Sequence, residues 1–117
     1  MKARIVHIIR KRRGMADQSE QVVEAPLIRV GRGAASEIYL ADPQVRLEHA
    51  VIDTTPSGPV VRAAGDATVL VDGRPTALAT VGPGQRISVG RHDLTLEPAP
   101  PGYDLAVSVE LVRPFDA

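Results

Sequence analysis

The chain has 117 residues with 14 basic and 14 acidic side chains, and therefore no formal net charge at neutral pH. Such a length suffices for one hydrophobic core, and the charge balance argues against a general nucleic-acid binder, which usually presents a basic face. The sequence contains no cysteine, which excludes disulfides and thiolate metal sites and is compatible with a reducing compartment. We therefore expect a single cytoplasmic domain over residues 1–117, which a longer protein could carry at its N-terminus.

Targeting and membrane segments are not evident in the sequence. Residues 1–9 are too short and too interrupted by charge for a signal peptide. No stretch approaches the roughly 18 apolar residues that a membrane helix requires. A content rich in alanine, arginine, glycine and proline is typical of GC-rich bacterial genomes, so we expect a bacterial source.

Strand signals dominate from the first residues to the last apolar run. In that last run Leu105, Val107, Val109 and Leu111 alternate with smaller or polar residues, as a strand with one buried face requires. The polar segment 10–20 is expected to be a connection. The predicted strands cover residues 3–9, 21–24, 27–30, 37–40, 49–54, 59–62, 68–71, 86–89, 93–97 and 104–112.

Turn signals separate these runs, most clearly at Asp72-Gly73. An Asp-Gly pair between apolar runs predicts a hairpin, because both turn residues must adopt positive φ. Ten prolines and ten glycines also argue against long helices. Many short strands at regular spacing predict an all-β fold, either an antiparallel sandwich or a barrel.

Catalytic and metal-binding patterns are absent from the sequence. His49, Asp53 and Ser57 could suggest a triad, but nothing in their spacing orders a nucleophile, a base and an orienting group. The Gly-Arg-Gly segment at residues 31–33 is too short for a nucleotide-binding loop, and no Gly-Lys-Ser/Thr follows it. The acidic residues lack the spacing of metal ligands. We therefore predict that the protein is not an enzyme and uses no cofactor or metal.

A series of short segments stands out by its order and spacing. The segments are Gly31-Arg32, Ser36-Glu37-Ile38-Tyr39-Leu40, His49-Ala50-Val51-Ile52, Val71-Asp72-Gly73 and Gly84-Gln85-Arg86-Ile87-Ser88-Val89-Gly90. Together they resemble the forkhead-associated (FHA) domain family over residues 5–111. The resemblance implies an antiparallel β-sandwich of about eleven strands whose loops at one end bind phosphothreonine peptides. The expected binding loops are residues 31–36, 46–48, 66–68 and 72–74.

The resemblance also implies a set of site residues, several of which depart from the family pattern. Arg32 matches the phosphate-contacting arginine of the Gly-Arg turn, and Arg46 stands where the family has a serine. Leu47 occupies a position that is often a polar phosphate contact, and Ala67 replaces an asparagine that holds the peptide backbone. Asp72 replaces the hairpin asparagine, a change that such turns tolerate.

The resemblance also implies residues that support the structure of the site. Gly31 and Gly73 are expected to meet the backbone demands of turns. His49 matches the family's histidine, which braces the recognition loop through hydrogen bonds to the backbone. Asp66, which precedes the position of the missing asparagine, would repel a phosphate. The residues expected to form the sandwich thus match the family pattern better than the residues expected to bind a peptide.

Two interpretations of the site follow, and both describe a protein–protein interaction module that is monomeric or weakly self-associating. In the first, Arg32 and Arg46 bind a phosphothreonine, whose phosphate carries a charge of about −1.5 to −2 and three acceptor oxygens. In the second, phosphate recognition is lost and the same loops dock a partner by other contacts. The missing asparagine favours the second, because unpaired peptide groups cost roughly 1–3 kcal/mol each.

The run Arg10-Lys11-Arg12-Arg13 supports a further alternative. Such a run can contact nucleic acid or an anionic membrane surface. At the tip of a hairpin it would instead be solvated and would discourage edge-to-edge pairing of strands. Steep salt dependence of binding, lost when these four residues become serine, would identify the first role. A structural role, through self-association or packing on a neighbouring domain, also stays open.

Overall fold

The computed structural model describes residues 1–10, 14 and 16–112, which form two β-sheets around a shared apolar core. The strands are β1 (Lys2–Arg10), β2 (Ala16–Glu24), β3 (Ile28–Gly31), β4 (Ile38–Tyr39), β5 (Ala50–Thr55), β6 (Gly58–Ala63), β7 (Leu70–Val71), β8 (Arg74–Pro75), β9 (Leu78–Thr80), β10 (Arg86–Val89), β11 (His92–Glu97) and β12 (Leu105–Leu111). Within these ranges there is no α-helix, and so no helix suited to crossing a membrane.

The two sheets are mixed in strand direction. One has seven strands in the order β2-β1-β12-β11-β10-β7-β8, and the other has five in the order β4-β3-β5-β6-β9. The pairs β1–β12 and β3–β4 are parallel, while the other described pairs are antiparallel. The predicted all-β sandwich is confirmed, but its purely antiparallel character is corrected at these two pairs. Parallel neighbours need a connection that returns the chain to the same end, which the loop 32–37 provides between β3 and β4.

The core consists of alternating aliphatic residues from both sheets. Ile5, Ile28, Ile52, Ile87 and Leu94 each expose 1% of their surface or less. The core cluster of the described residues contains only valine, isoleucine, leucine and alanine, as the aromatic content of 3% predicts. Each large aliphatic side chain contributes about 1.5–3 kcal/mol when it is fully buried. This core holds the strands in register and thereby positions the loops at their ends.

The strand β2 begins earlier than predicted. Residues 16–20 were expected to belong to a connection, but they pair with β1 in a register that runs from Lys2↔Glu24 to Arg10↔Ala16. Every β2 residue except Val23 is exposed, because β2 is an edge strand. Its structure comes from backbone pairing and not from burial, so the sequence carries no alternating apolar signal there.

Two further strands, β8 and β9, lie outside the predicted set. They are two and three residues long and mostly exposed, which is too short for a recognisable period. They bring the strands of the described residues to twelve, against about eleven expected. The predicted hairpin at Asp72-Gly73 is confirmed, since φ is 48° and 82° there and the turn joins β7 to β8.

One end of the sandwich, called the apical end here, gathers four connections. They are the β3–β4 loop (32–37), the β4–β5 loop (40–49), the β6–β7 loop (64–69) and the β10–β11 turn (90–91). Hydrogen bonds join each of these connections to a neighbour, as described next. The apical end is therefore a single connected surface drawn from both sheets.

Candidate functional site

The β3–β4 and β4–β5 loops are in direct backbone contact. The backbone N–H of Arg32 donates to the carbonyl of Arg46 at 2.9 Å, and that of Gly33 donates to the carbonyl of Leu47 at 3.0 Å. A Cβ atom at Gly31 would stand 2.2 Å from the Leu47 carbonyl oxygen. Only glycine therefore fits at position 31, and the reason is close approach of two backbones, since the φ of Gly31 is not positive.

His49 links three parts of the apical end, although only 4% of its surface is exposed. Its Nδ1 accepts a hydrogen bond from the backbone N–H of Arg46 at 3.1 Å. The Nε2 atom lies 2.7 Å from the carbonyl oxygen of Thr68 and must carry the ring proton, because Nδ1 is an acceptor. The backbone N–H of His49 also donates to the carbonyl of Val30 at 2.9 Å. The imidazole thus ties the β4–β5 loop to the β6–β7 loop.

Arg32 lies at the exposed surface of this connected region. Its Nε donates to the carbonyl oxygen of Val45 at 3.0 Å, which orients the guanidinium. A guanidinium has five N–H donors, so this single bond leaves its terminal groups able to bind an anion. A cleft beside Arg32 is lined by Tyr39, Ala41 and Pro43.

Arg46 forms an ion pair with Asp66 of the β6–β7 loop through Nη1 and Oδ1. The exposed fractions of these side chains are 52% for Arg46 and 88% for Asp66. The hydrogen bond from Arg46 lowers the pKa of Asp66 below its ordinary value. The two arginines of the predicted anion site are therefore neighbours through their backbones, but their side chains bind different groups of the protein.

The remaining predicted site residues occupy different environments. Leu47 in the β4–β5 loop exposes 58% of its surface, whereas Ala67 exposes 8% and is buried. Asp72 lies apart from the apical residues, since its carboxylate accepts hydrogen bonds from the backbone of Arg86 at 3.0 Å and the side chain of Gln85 at 3.2 Å. The structure thus brings together Arg32, Arg46, Leu47, Asp66, Ala67 and His49, and it does not bring Asp72 or Gly73 to them.

Asp42 supports the apical end and was not singled out from the sequence. Its carboxylate is fully buried and accepts hydrogen bonds from the backbone N–H groups of Gln44 and Arg91, both at 2.9 Å. It thereby joins the β4–β5 loop to the β10–β11 turn in the other sheet. Burial raises the pKa of Asp42, but the bonds from Arg91 and Gln44 and the nearby cationic groups outweigh this, so the pKa is lowered.

The space around Asp42 is tight, and a second ionisable side chain lies close to its carboxylate. A Cβ atom at Gly90 would stand 2.7 Å from Asp42 Oδ2. The Nδ1 atom of His92 lies 3.7 Å from the same oxygen, and burial lowers the pKa of His92. The Asp-Pro-Gln sequence at residues 42–44 is the signal that sequence reasoning missed, because aspartate often accepts from the N–H two residues on.

A second ion pair fixes the β3–β4 loop. The guanidinium of Arg29 donates to Glu37 from Nε at 3.0 Å and from Nη2 at 2.7 Å, and the backbone N–H of Arg29 adds a bond at 2.8 Å. Only 12% of the Glu37 side chain is exposed. The side-chain hydrogen bond from Arg29 lowers the pKa of Glu37 to about 2. This pair closes the loop that carries Arg32.

The Glu37 carboxylate should make stability depend on acid pH. Its folded pKa of about 2 lies below its ordinary 4.5, so its contribution is fully present above pH 4.5 and is lost as the pH falls through about 2. We expect Glu37→Gln to lower the free energy of unfolding near pH 7 by about 1–2 kcal/mol, and by little near pH 2. Urea unfolding at both pH values measures the difference. Glu97→Gln, which removes an exposed carboxylate bonded to Ser108, is the matched control, and an equal loss there would contradict the prediction.

The basic run of the sequence is only partly within the described residues. Arg10 pairs through Nε with Glu110 of β12, which raises the pKa of Arg10 and offsets its charge. Lys11, Arg12 and Arg13 lie outside the described residues. The alternative of a nucleic-acid or membrane contact through this run stays a prediction.

Solved structures with the same architecture are FHA domains. The FHA-2 domain of the ABC transporter Rv1747 from Mycobacterium tuberculosis matches with a TM-score of 0.59 and 22% identity, over 65% of this chain and 71% of that chain. An FHA domain analysed for phosphothreonine-dependent interactions gives a TM-score of 0.61 and 17% identity, over 81% of this chain and 95% of that chain. Mycobacterium tuberculosis EmbR, in complex with a low-affinity phosphopeptide, matches with a TM-score of 0.59 and 19% identity. This match covers 97% of this chain and 26% of that chain.

No protein-family model matches the sequence, and no curated protein matches it either. The likeness to solved structures thus establishes the fold of this chain and nothing beyond the fold. The chain has the fold of the FHA domains, and the resemblance seen in the sequence is confirmed at the level of the architecture.

Proposed function

We propose that this domain is a protein–protein interaction module that docks a partner segment against its apical loops. The observation that carries the proposal is the locked arrangement of three loops around His49 and Gly31, with the Arg32 guanidinium exposed beside them. Loops held in place before binding lose little conformational entropy when a partner docks, which favours affinity. The domain acts without catalysis, cofactor or metal.

The charges of the apical end give the preferred partner an acidic character. Arg32 offers forked donors to a carboxylate or a phosphate, and Arg46 adds a second guanidinium once Asp66 is displaced. Phosphorylation of the partner would then act as the switch for docking. The mycobacterial FHA relatives and the missing cysteines support a bacterial, cytoplasmic protein.

A docking mode that is independent of phosphate is the alternative. The exposed Leu47 and the buried Ala67 stand at positions where a peptide reader of this fold carries polar groups. Leu47 would instead add apolar contact area to a partner. This alternative predicts that phosphorylated and unphosphorylated partners bind equally.

Loss of the Arg32 guanidinium should separate these modes. We expect a phosphothreonine peptide library to bind more tightly than its unphosphorylated twin, and Arg32→Ala to weaken phosphopeptide binding about 10- to 100-fold, since hydrogen bonds to charged groups contribute about 1.5–3 kcal/mol. Fluorescence anisotropy with both libraries measures the affinities. Arg4→Ala is the control, because Arg4 is a half-buried, ion-paired arginine near the start of β1 and outside the apical end.

The outcomes assign the mode of docking directly. Tighter phosphopeptide binding that is lost in Arg32→Ala and kept in Arg4→Ala supports phosphate-dependent docking. Equal binding of both libraries supports the alternative. The absence of any binding by the intact domain rejects the apical loops as a peptide-docking surface.

A further inference from the structure

We infer that Asp66 is an intramolecular competitor for the anionic group of the partner, and that it sets the affinity of the apical site by occupying Arg46. This inference rests on the proposed function and adds the residue that limits it. The Arg46–Asp66 pair is made between the two loops that would face the partner. The Asp66 carboxylate occupies the position in which a partner carboxylate or phosphate would bind Arg46.

The backbones on both sides of the pair are anchored. Arg46 is held at its N–H by Nδ1 of His49 and at its carbonyl by the N–H of Arg32. On the other side, Ala67 is buried and its N–H donates to the carbonyl of Ala64 at 3.0 Å. The two charged side chains therefore start from fixed points and meet without any partner present.

The exposure of the pair determines how strongly it competes. Arg46 is 52% exposed and Asp66 is 88% exposed, so water screens their attraction. Exposed pairs of this kind change an equilibrium by no more than about fivefold. A partner anion that takes the position of Asp66 at Nη1 must first break the pair, and an anion bound anywhere on the Arg46 guanidinium remains close to a negative charge. Both effects weaken binding of anions and leave binding of neutral groups unchanged.

The charge of the ligand gives the inference a distinctive signature. Removing the Asp66 charge frees Arg46 for every anion and also removes a repulsion that grows with the charge of the ligand. A phosphate, at about −1.5 to −2, should gain more than a single carboxylate. A neutral threonine should gain nothing.

The test uses one apical-binding peptide in three forms, with phosphothreonine, glutamate or threonine at the same position. We expect Asp66→Asn to tighten binding of the phosphothreonine form about three- to fivefold, of the glutamate form less, and of the threonine form not at all. Glu24→Gln is the matched control, because it removes one exposed negative charge at the end of β2, outside the apical loops. The double variant Arg46→Ala with Asp66→Asn should lose the gain.

Each result decides the matter. A gain confined to anionic peptides and dependent on Arg46 supports the inference. An equal gain in Glu24→Gln would show an effect of net charge alone and overturn it. Weaker binding by Asp66→Asn would show that Asp66 contacts the partner and would also overturn it. Binding that depends on Arg32 but not on Asp66 rejects this inference alone, whereas no binding by any variant rejects the proposed function with it.

Discussion

Replacing Asp42 by alanine is expected to lower the free energy of unfolding by about 3–5 kcal/mol, the usual loss when one partner of a buried charged network is removed. The Asp42 carboxylate is fully buried and is the acceptor for two backbone N–H groups, from Gln44 and from Arg91. Without it both donors lose their partner, and the bridge between the two sheets at the apical end is broken. Thermal and urea unfolding measure the loss.

The conservative variant distinguishes charge and hydrogen bonding from volume. Asp42→Asn keeps the size of the side chain, but its amide group cannot accept from both N–H donors, so we expect a loss of about 1–3 kcal/mol. Asp53→Asn is the matched control, since the Asp53 carboxylate is only half-buried and accepts one local bond from Thr54 at 2.8 Å. Stability of Asp42→Asn equal to that of Asp53→Asn would contradict the role assigned to Asp42.

Replacing Gly31 by alanine should have the next largest effect. The added Cβ would stand 2.2 Å from the Leu47 carbonyl oxygen and 3.0 Å from that of Arg46, and both of these atoms belong to backbone. Neither can move without breaking the bonds from Arg32 and Gly33 that join the two loops. We expect a loss of about 2–4 kcal/mol and a fall in Tm of roughly 8–16 °C.

The control for Gly31→Ala is another glycine with open space around it. A Cβ at Gly82 would meet nothing within 4 Å, and Gly82 does not have positive φ. Gly82→Ala should therefore change stability by no more than about 0.5–1 kcal/mol, and in the stabilising direction, because alanine restricts the unfolded chain. Calorimetry of both variants makes the comparison, and similar Tm values would refute the close approach at Gly31.

These two positions connect stability with binding. Asp42 and Gly31 both hold the β4–β5 loop, Asp42 from the opposite sheet and Gly31 from the adjacent strand. That loop carries Arg46 and receives the hydrogen bond from Arg32 Nε. Variants at either position should therefore also weaken partner docking, although neither side chain would touch the partner.

Much of the architecture could be predicted from local signals. The alternation of Leu105, Val107, Val109 and Leu111 marked β12, and the first three of these residues lie in the sandwich core, whereas Leu111 at the end of the strand is exposed. The Asp-Gly pair marked the β7–β8 hairpin. By contrast, the first residue of β2 could not be predicted from the sequence. A strand that is exposed over nearly its whole length forms through backbone pairing alone, and such pairing requires no particular pattern of side chains.

The candidate site was predicted less completely than the fold. Arg32, Arg46, Asp66 and His49 were found because they match positions of a known pattern, and the structure brings them together at the apical end. The pairing of Arg46 with Asp66 could not be foreseen, since 20 positions separate these residues in sequence. Asp72 was grouped with them by the same pattern, but its carboxylate binds Gln85 and Arg86 instead.

The sequence by itself determined that this protein is all-β with an aliphatic core, because period-two burial and turn chemistry are properties of neighbouring residues. Only the tertiary structure decided which charges meet. It buried Asp42 beneath two N–H donors and left Arg32 exposed, while it joined Arg46 to Asp66. Charges interact through space, so their partners depend on how loops from distant parts of the chain converge, and no local pattern records that convergence.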